Sequence, residues 1–234
     1  MKNFSPKVIA LGGSIVVPDT INVEYLKRLR AFFISYFADG GDPIMLVVGG
    51  GSTARNYQNA AAEVASISDE DKDWLGIHAT RINAQLLRTI FVDIAHPVVL
   101  NNPHKHINAS ALQQYRLFIA SGGLPGHSTD YDAVAIAQRF NVTEFLIATT
   151  ISYVYDKDFS KYKDAQPIKD LTWEAYRALV DDVWKPGMKA PVDPVAARAA
   201  EKYGMECRLF QGTNLFHFEQ CLKGEEFEGT VIHP

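Results

Sequence analysis

The chain has 234 residues, 47% of them hydrophobic and 21% charged, with a formal net charge of −4 at pH 7. That length suits one large domain or two small ones, and the apolar runs are too short to span a bilayer, so no membrane partner is expected. The acidic balance argues against a general nucleic-acid surface, and two cysteines, Cys207 and Cys221, suit core packing better than a disulfide framework or zinc cage.

The opening MKNFSPKVIALGGS carries a short apolar core broken by glycines, so it is read as a strand (7–11) and not a signal peptide, with a cytoplasmic location expected. Residues 22–37 place Val23, Leu26, Leu29, Phe33 and Phe37 three and four apart, the period of an amphipathic helix. PIMLVV (43–48) is a second buried strand. DKDWLGIHATRINAQLLRTIF (71–91) predicts a helix carrying Trp74, Ile77, Ile82 and Leu86 on one face. Strands follow at HPVVL (96–100), RLFIA (116–120) and EFLIAT (144–149), with a helix between the last two that turns Ala133, Ile136 and Ala137 inward. DKDFSKYKDAQPIKDLT (156–172) reads as a polar surface excursion. PVDPVAARAAEKYG is a helix with Pro194 in its first turn and Gly204 beyond its end, and ECRLF (206–210) and GTVI (229–232) close the chain as strands. This alternation predicts an α/β fold with a mainly parallel sheet, helices on both faces, and ligands at the carboxyl ends of the strands.

Three glycine loops fall at such ends. LGGS (11–14) lets backbone N–H groups approach an anion, with the Ser14 hydroxyl beside them; a tight strand-to-helix turn would use the same residues. VVGGGSTARNY (47–57) ends a strand in three glycines and opens a helix whose N-terminus favours a phosphate, with Arg55 one turn in. It fits neither the dinucleotide fingerprint nor the Walker loop. The third loop, GGLPGHSTDYD (122–132), offers amides, hydroxyls and His127 before another helix; Asp130 alternatively caps that helix. Two phosphate-like loops at one sheet edge point to two phosphorylated ligands side by side, the arrangement phosphoryl transfer needs.

The motifs VIALGGS, VVGGGSTARNY, WLGIHATRINAQLL, GGLPGHSTDYDAVAIA, VYDKD and PVDPVAARAAEKYG, ending in GTVI, resemble in order and spacing the amino acid kinase superfamily, and within it the archaeal type of uridylate kinase. The resemblance implies a three-layer αβα sandwich formed by one domain over 1–234. An acceptor-binding half would span about 1–140 and a nucleotide-binding half about 141–234. It implies phosphoryl transfer from ATP to UMP in pyrimidine nucleotide synthesis, with Mg²⁺ arriving with ATP, no metal site built from protein side chains, and a homohexamer built from dimers. It places ATP against Ala10, Leu11, Gly12, Gly13, Ser14, Gly51 and Arg55, with its base and ribose near Thr149, Thr150, Tyr155 and Asp158. It places UMP against Gly50, Asp73 and the loop Gly123, Leu124, Pro125, Gly126, His127, Ser128 and Thr129. Arg55 and Lys189 are the candidate catalytic cations, a solvated surface lysine being the other reading of Lys189.

Departures from the family pattern are also legible. Ser52 stands where the glycine run is commonly followed by lysine, and TTISYVY puts Ser152 and Tyr153 where the family has Asp and Gly, Tyr153 being expected to close space. Ala10 replaces a lysine of the bacterial branch, as in the archaeal one. Lys7 is too early to reach the phosphates, and Arg81 suits a subunit contact or salt bridge as well as a ligand. The alternatives are a kinase of another small phosphate or carboxylate, such as isopentenyl phosphate, for which His78 and His127 are the candidate histidines, or a nucleotide-binding relative without chemistry.

Overall fold

Branched aliphatic residues fill β1 (Lys7–Leu11) and β2 (Ile44–Val48), which pair in parallel at the middle of the main sheet. The computed structural model describes residues 5–188 and 190–234. Between these strands lie the one-turn α1 (Gly13–Val16) and the long α2 (Val23–Ala38); β2 leads to α3 (Gly51–Val64), α4 (Asp69–Ile90), α5 (Ala109–Gln114) and β3 (Leu117–Ala120). The chain continues through α6 (Thr129–Arg139), β4 (Glu144–Thr149), a small antiparallel ribbon of β5 (Val154–Tyr155) and β6 (Pro167–Ile168), and β7 (Asp170–Thr172). It ends with α7 (Trp173–Leu179), α8 (Pro194–Lys202), β8 (Glu206–Gln211), α9 (Leu215–Lys223) and β9 (Gly229–His233).

The seven strands of the main sheet run in the order β3-β2-β1-β4-β8-β9-β7. All neighbours are parallel except β8 and β9. Because side chains alternate across a strand, Val8 and Ala10 join one core with Ala133 and Ile136 of α6 and Ala196 and Ala200 of α8. Ile9 and Leu11 join the other with Leu29 and Phe33 of α2, Leu87 of α4 and Phe218 of α9. The fold is therefore a three-layer αβα sandwich. From β1 the sheet grows toward β2 and β3 on one side and toward β4 and β8 on the other, so strand order reverses beside β1, where such sheets open a crevice at their carboxyl ends.

Three expectations need correction. HPVVL is not a strand: Ala95 and Leu100 each make an isolated bridge to β3, because Pro97 has no N–H for the ladder between them. On α4 the inward face carries Asp73, Ile77, Thr80, Ala84 and Leu87, while Trp74 and Ile82 are exposed; Val23 on α2 is exposed too. Residues 156–172 are more than a surface excursion, since they supply β6, β7 and part of the wall of the main cavity. The two cysteines are free and fully buried, as core residues.

Candidate active site

The crevice beside β1 holds a cavity of about 1200 Å³. Pockets for one small ligand reach roughly 1,000 Å³, so this one is large enough for two. Its floor is the contact between the first two glycine loops. The Gly12 N–H donates to Ala148 O at 2.8 Å and the Gly49 N–H to Leu11 O at 3.0 Å, extending the sheet pairing past the strand ends. This draws the backbones so close that a Cβ on Gly13 would stand 2.2 Å from Gly51 N. Gly51 itself has φ +63° and would place a Cβ 2.4 Å from Gly13 O.

α3 begins at this contact. The helices α2, α4, α6, α8 and α9 all start with a side-chain cap, from Asn22, Ser68, Ser128, Asp193 and Asn214. α3 starts at Gly50 with no side-chain cap and no acidic residue in its first turn. The Ser52 N–H donates to Val17 O at 2.9 Å; the other N–H donors of the first turn and the positive dipole end are left for a ligand in the cavity. Arg55, one turn further on, donates to Ser14 Oγ at 3.0 Å and Pro18 O at 3.3 Å, which ties the two glycine loops through a guanidinium that lines the cavity. From behind, the buried Asn83 amide donates to Gly49 O and Gly50 O at 2.9 and 3.0 Å and fixes the second loop's carbonyls.

The third loop is held to α4 and α6 by buried polar groups. Gly122 N–H donates to Thr80 Oγ1 at 2.8 Å, Gly126 N–H to Asp73 Oδ2 at 2.7 Å, and Gly123 N–H to Asp132 Oδ2 at 3.3 Å. Ser128 caps α6, not Asp130, and its N–H donates to Asp193 Oδ2 at 3.2 Å. The opposite oxygen of Asp193 caps α8, so one carboxylate couples the third loop to the C-terminal half. Asp130 lines the cavity, and burial together with the neighbouring Asp193 carboxylate pushes its carboxyl above the usual range.

Asp132 lies behind the loop, 1% exposed, with Oδ1 unpartnered. Burial pushes its carboxyl up to about 8, against the Gly123 N–H, which pulls the other way. The folded protein thus holds a proton that the unfolded chain, with an ordinary value near 3.8, releases. Stability contributed by this group is complete below pH ~4 and is lost as pH rises toward ~8. Asp132→Asn keeps an acceptor for Gly123 without the charge. Its melting temperature is expected to exceed that of wild type by a margin that widens with pH between ~5 and ~8.5 and reaches about 5 °C or more at pH ~8.5, read by calorimetry; equal melting temperatures at both pH values would refute the assignment.

The far wall comes from the segment after β4. Thr149, Thr150, Tyr155 and Asp158 line the cavity, joined by Lys157, Phe159 and Lys161. Hydrogen bonds from Ser160 and Lys161 hold the Asp158 carboxyl below its ordinary value. Tyr155 packs on Phe159 with ring centroids 4.8 Å apart, offering an aromatic surface. The departures from the family pattern fall outside this space. Ser52 is buried, its hydroxyl donating to Asp19 O at 3.0 Å, and neither it nor Ser152 nor Tyr153 lines the cavity. Tyr153 does not close the site as expected; its ring meets the edge of Tyr155 at 6.4 Å.

Of the residues expected from sequence, the cavity gathers Gly12, Gly13, Ser14, Gly50, Gly51, Arg55 and Asp73 with Leu124, His127, Ser128 and Thr129, besides the four on the far wall. Ala10 and Leu11 are not part of the lining, being buried toward opposite cores of the sheet. Gly123, Pro125 and Gly126 also stand outside the lining, Gly123 and Gly126 through their bonds to Asp132 and Asp73. Lys189 lies outside the described residues, but its neighbours Met188 and Ala190 line the cavity. Arg81 and His78 do not, and Lys7 pairs with Glu144 at 3.1 Å at the other end of the sheet. Sequence reading missed Thr80, Asn83 and Trp184. The first two follow Asp73 on one helical face, at spacings of seven and ten, a signal the sequence does contain.

Comparison with known proteins agrees with this geometry. Residues 5–211 match the amino acid kinase family. The chain is 31% identical over 232 residues to the uridylate kinase of Methanococcus aeolicus, covering 97% of this chain and 99% of that one. It is 28% identical over 228 residues to the uridylate kinase of Thermococcus kodakarensis, with the same coverage. Among solved structures, the uridylate kinase from Archaeoglobus fulgidus superposes with a TM-score of 0.78 at 27% identity, over 96% of this chain and 99% of that one.

Proposed function

The chain belongs to the amino acid kinase family, and we propose that it transfers the γ-phosphoryl group of ATP to UMP, giving ADP and UDP. The observation that carries this reading is the backbone contact of Gly13 with Gly49 and Gly51 beneath the uncapped start of α3, in a cavity whose opposite wall is the third glycine loop. Two anion-binding surfaces so close together suit a donor and an acceptor phosphate held in line.

In this assignment the ATP phosphates lie on Gly12, Gly13, Ser14, Gly51 and Arg55, with the base and ribose along Thr149, Thr150, Tyr155 and Asp158. UMP lies on Gly50, Asp73 and the third-loop residues Leu124, His127, Ser128 and Thr129, Asp73 accepting from ribose hydroxyls. The halves about 1–140 and 141–234 then serve acceptor and donor. An oxygen of the UMP phosphate forms the new bond to the γ-phosphorus. The bond from that phosphorus to the β,γ-bridging oxygen breaks, and its electron pair leaves with ADP. Arg55 and the loop amides, with Lys189 as the second cation, stabilise charge on the transferring group. Mg²⁺ would arrive carried by the triphosphate. When bound it would neutralise phosphate charge, and Asp130 is one of the carboxylates lining the cavity, with Asp73, Asp158 and Asp181.

The exposed Tyr57 and Val64 of α3 and Trp74 and Ile82 of α4 support assembly into a homo-oligomer. Among the described residues no helix is long and apolar enough to cross a membrane, and a cytoplasmic setting belongs to the proposal. A coupled ADP-release assay with UMP, CMP and isopentenyl phosphate as acceptors tests it. Release with UMP at least tenfold above the other two is expected; preference for isopentenyl phosphate, or nucleotide binding without turnover, would overturn it.

A further inference from the structure

Trp184 lies in the strap between α7 and α8, from which Val180, Trp184, Met188 and Pro191 line the cavity. The half-buried indole donates its Nε1–H to Asp73 Oδ2 at 3.2 Å, joining residues 111 positions apart. The same oxygen accepts the Gly126 N–H at 2.7 Å, so two donors from two different walls converge on it. Asp73 is 9% exposed, and its other oxygen, Oδ1, accepts no hydrogen bond from the described residues. An ionised carboxyl group can accept about four hydrogen bonds, and its terminal torsion is broad and nearly two-fold, so left alone it would not select which oxygen meets a ligand. Two donors on Oδ2 make that selection.

We propose that Trp184 is a positioning residue of the acceptor site: its indole N–H, with the Gly126 amide, fixes Asp73 so that Oδ1 is kept for a sugar hydroxyl of the acceptor nucleotide. This rests on the assignment of Asp73 to the acceptor ribose. It also makes the strap part of acceptor recognition, although the strap belongs to the half that otherwise serves the donor. Among the described residues the indole's one hydrogen bond goes to Asp73, so its removal separates the two substrates.

Trp184→Phe keeps an aromatic ring and removes the N–H. It is expected to raise KM for UMP about tenfold, the loss of one hydrogen bond to a charged group, while kcat falls less than threefold and KM for ATP stays unchanged. Trp184→His, which restores a ring N–H, is expected to recover part of the lost affinity. In an Asp73→Ala background the same Trp184→Phe change is expected to alter KM for UMP less than twofold, because the carboxylate it orients is gone. An unaltered KM for UMP in Trp184→Phe, or an equal rise with and without Asp73, would overturn the inference and leave the kinase reading standing. Failure of the unaltered protein to phosphorylate UMP would overturn that reading and this inference with it.

Discussion

Gly13→Ala is expected to destabilise the protein by about 3 kcal/mol or more and to lower UMP phosphorylation more than a hundredfold where the variant still folds. The added Cβ would meet three backbone atoms, Gly51 N at 2.2 Å and Gly49 C and O at 2.4 and 2.5 Å. Neither loop can yield separately: the Gly12 and Gly49 amides are pinned to strand-end carbonyls, and Asn83 grips Gly49 O and Gly50 O. Relief requires parting β1 from β2 at their carboxyl ends, which displaces the proposed phosphate cradle. Gly126→Ala is the comparison. Gly126 has φ +98° with nothing within 4 Å of its would-be Cβ, so only the backbone cost of about 1–2 kcal/mol applies. Urea unfolding and turnover of both variants check the difference; a Gly13→Ala protein as stable and active as wild type would show that the loops stand apart in solution.

Arg55→Ala is expected to reduce kcat by about 10²–10³, the scale for removing one preorganised donor at developing charge. The fold should respond modestly. The guanidinium makes two hydrogen bonds, to Ser14 Oγ and Pro18 O, neither fully buried, so a loss of about 2 kcal/mol bounds the effect. Arg55→Lys keeps the charge without the planar fork and is expected to fall between wild type and alanine. Steady-state kinetics and thermal melting on the same samples separate chemistry from folding. A kcat within threefold of wild type in Arg55→Ala would remove the residue from the transition-state charge cluster.

Most of the fold was legible because its strands are branched runs with glycine at their carboxyl ends, and the glycines marked the edge of the cavity as well. What failed did so for local physical reasons. Pro97 interrupts an otherwise strand-like run. On α4 the inward face includes Asp73, Thr80 and Asn83, polar residues that serve the cavity, so the apolar periodicity pointed at Trp74 and Ile82 on the solvent side. The three glycine loops could be named separately. Their mutual contact follows from the parallel register of β1 and β2, where Leu11 stands opposite Val48. Asp130 resembled a cap, yet Ser128 caps α6 and the carboxylate stands in the cavity beside Asp193. The strap has no periodicity, and no local pattern could announce that Trp184 bonds a residue 111 positions away.

The central claim is that the two glycine-loop walls hold a donor and an acceptor phosphate for direct transfer. Incubating the full chain with Mg-ATP and UMP and resolving the products by ³¹P NMR tests it most directly. UDP and ADP should accumulate in equal amounts without inorganic phosphate. ADP accompanied by inorganic phosphate, or no UDP from a folded protein that binds both nucleotides, would contradict it.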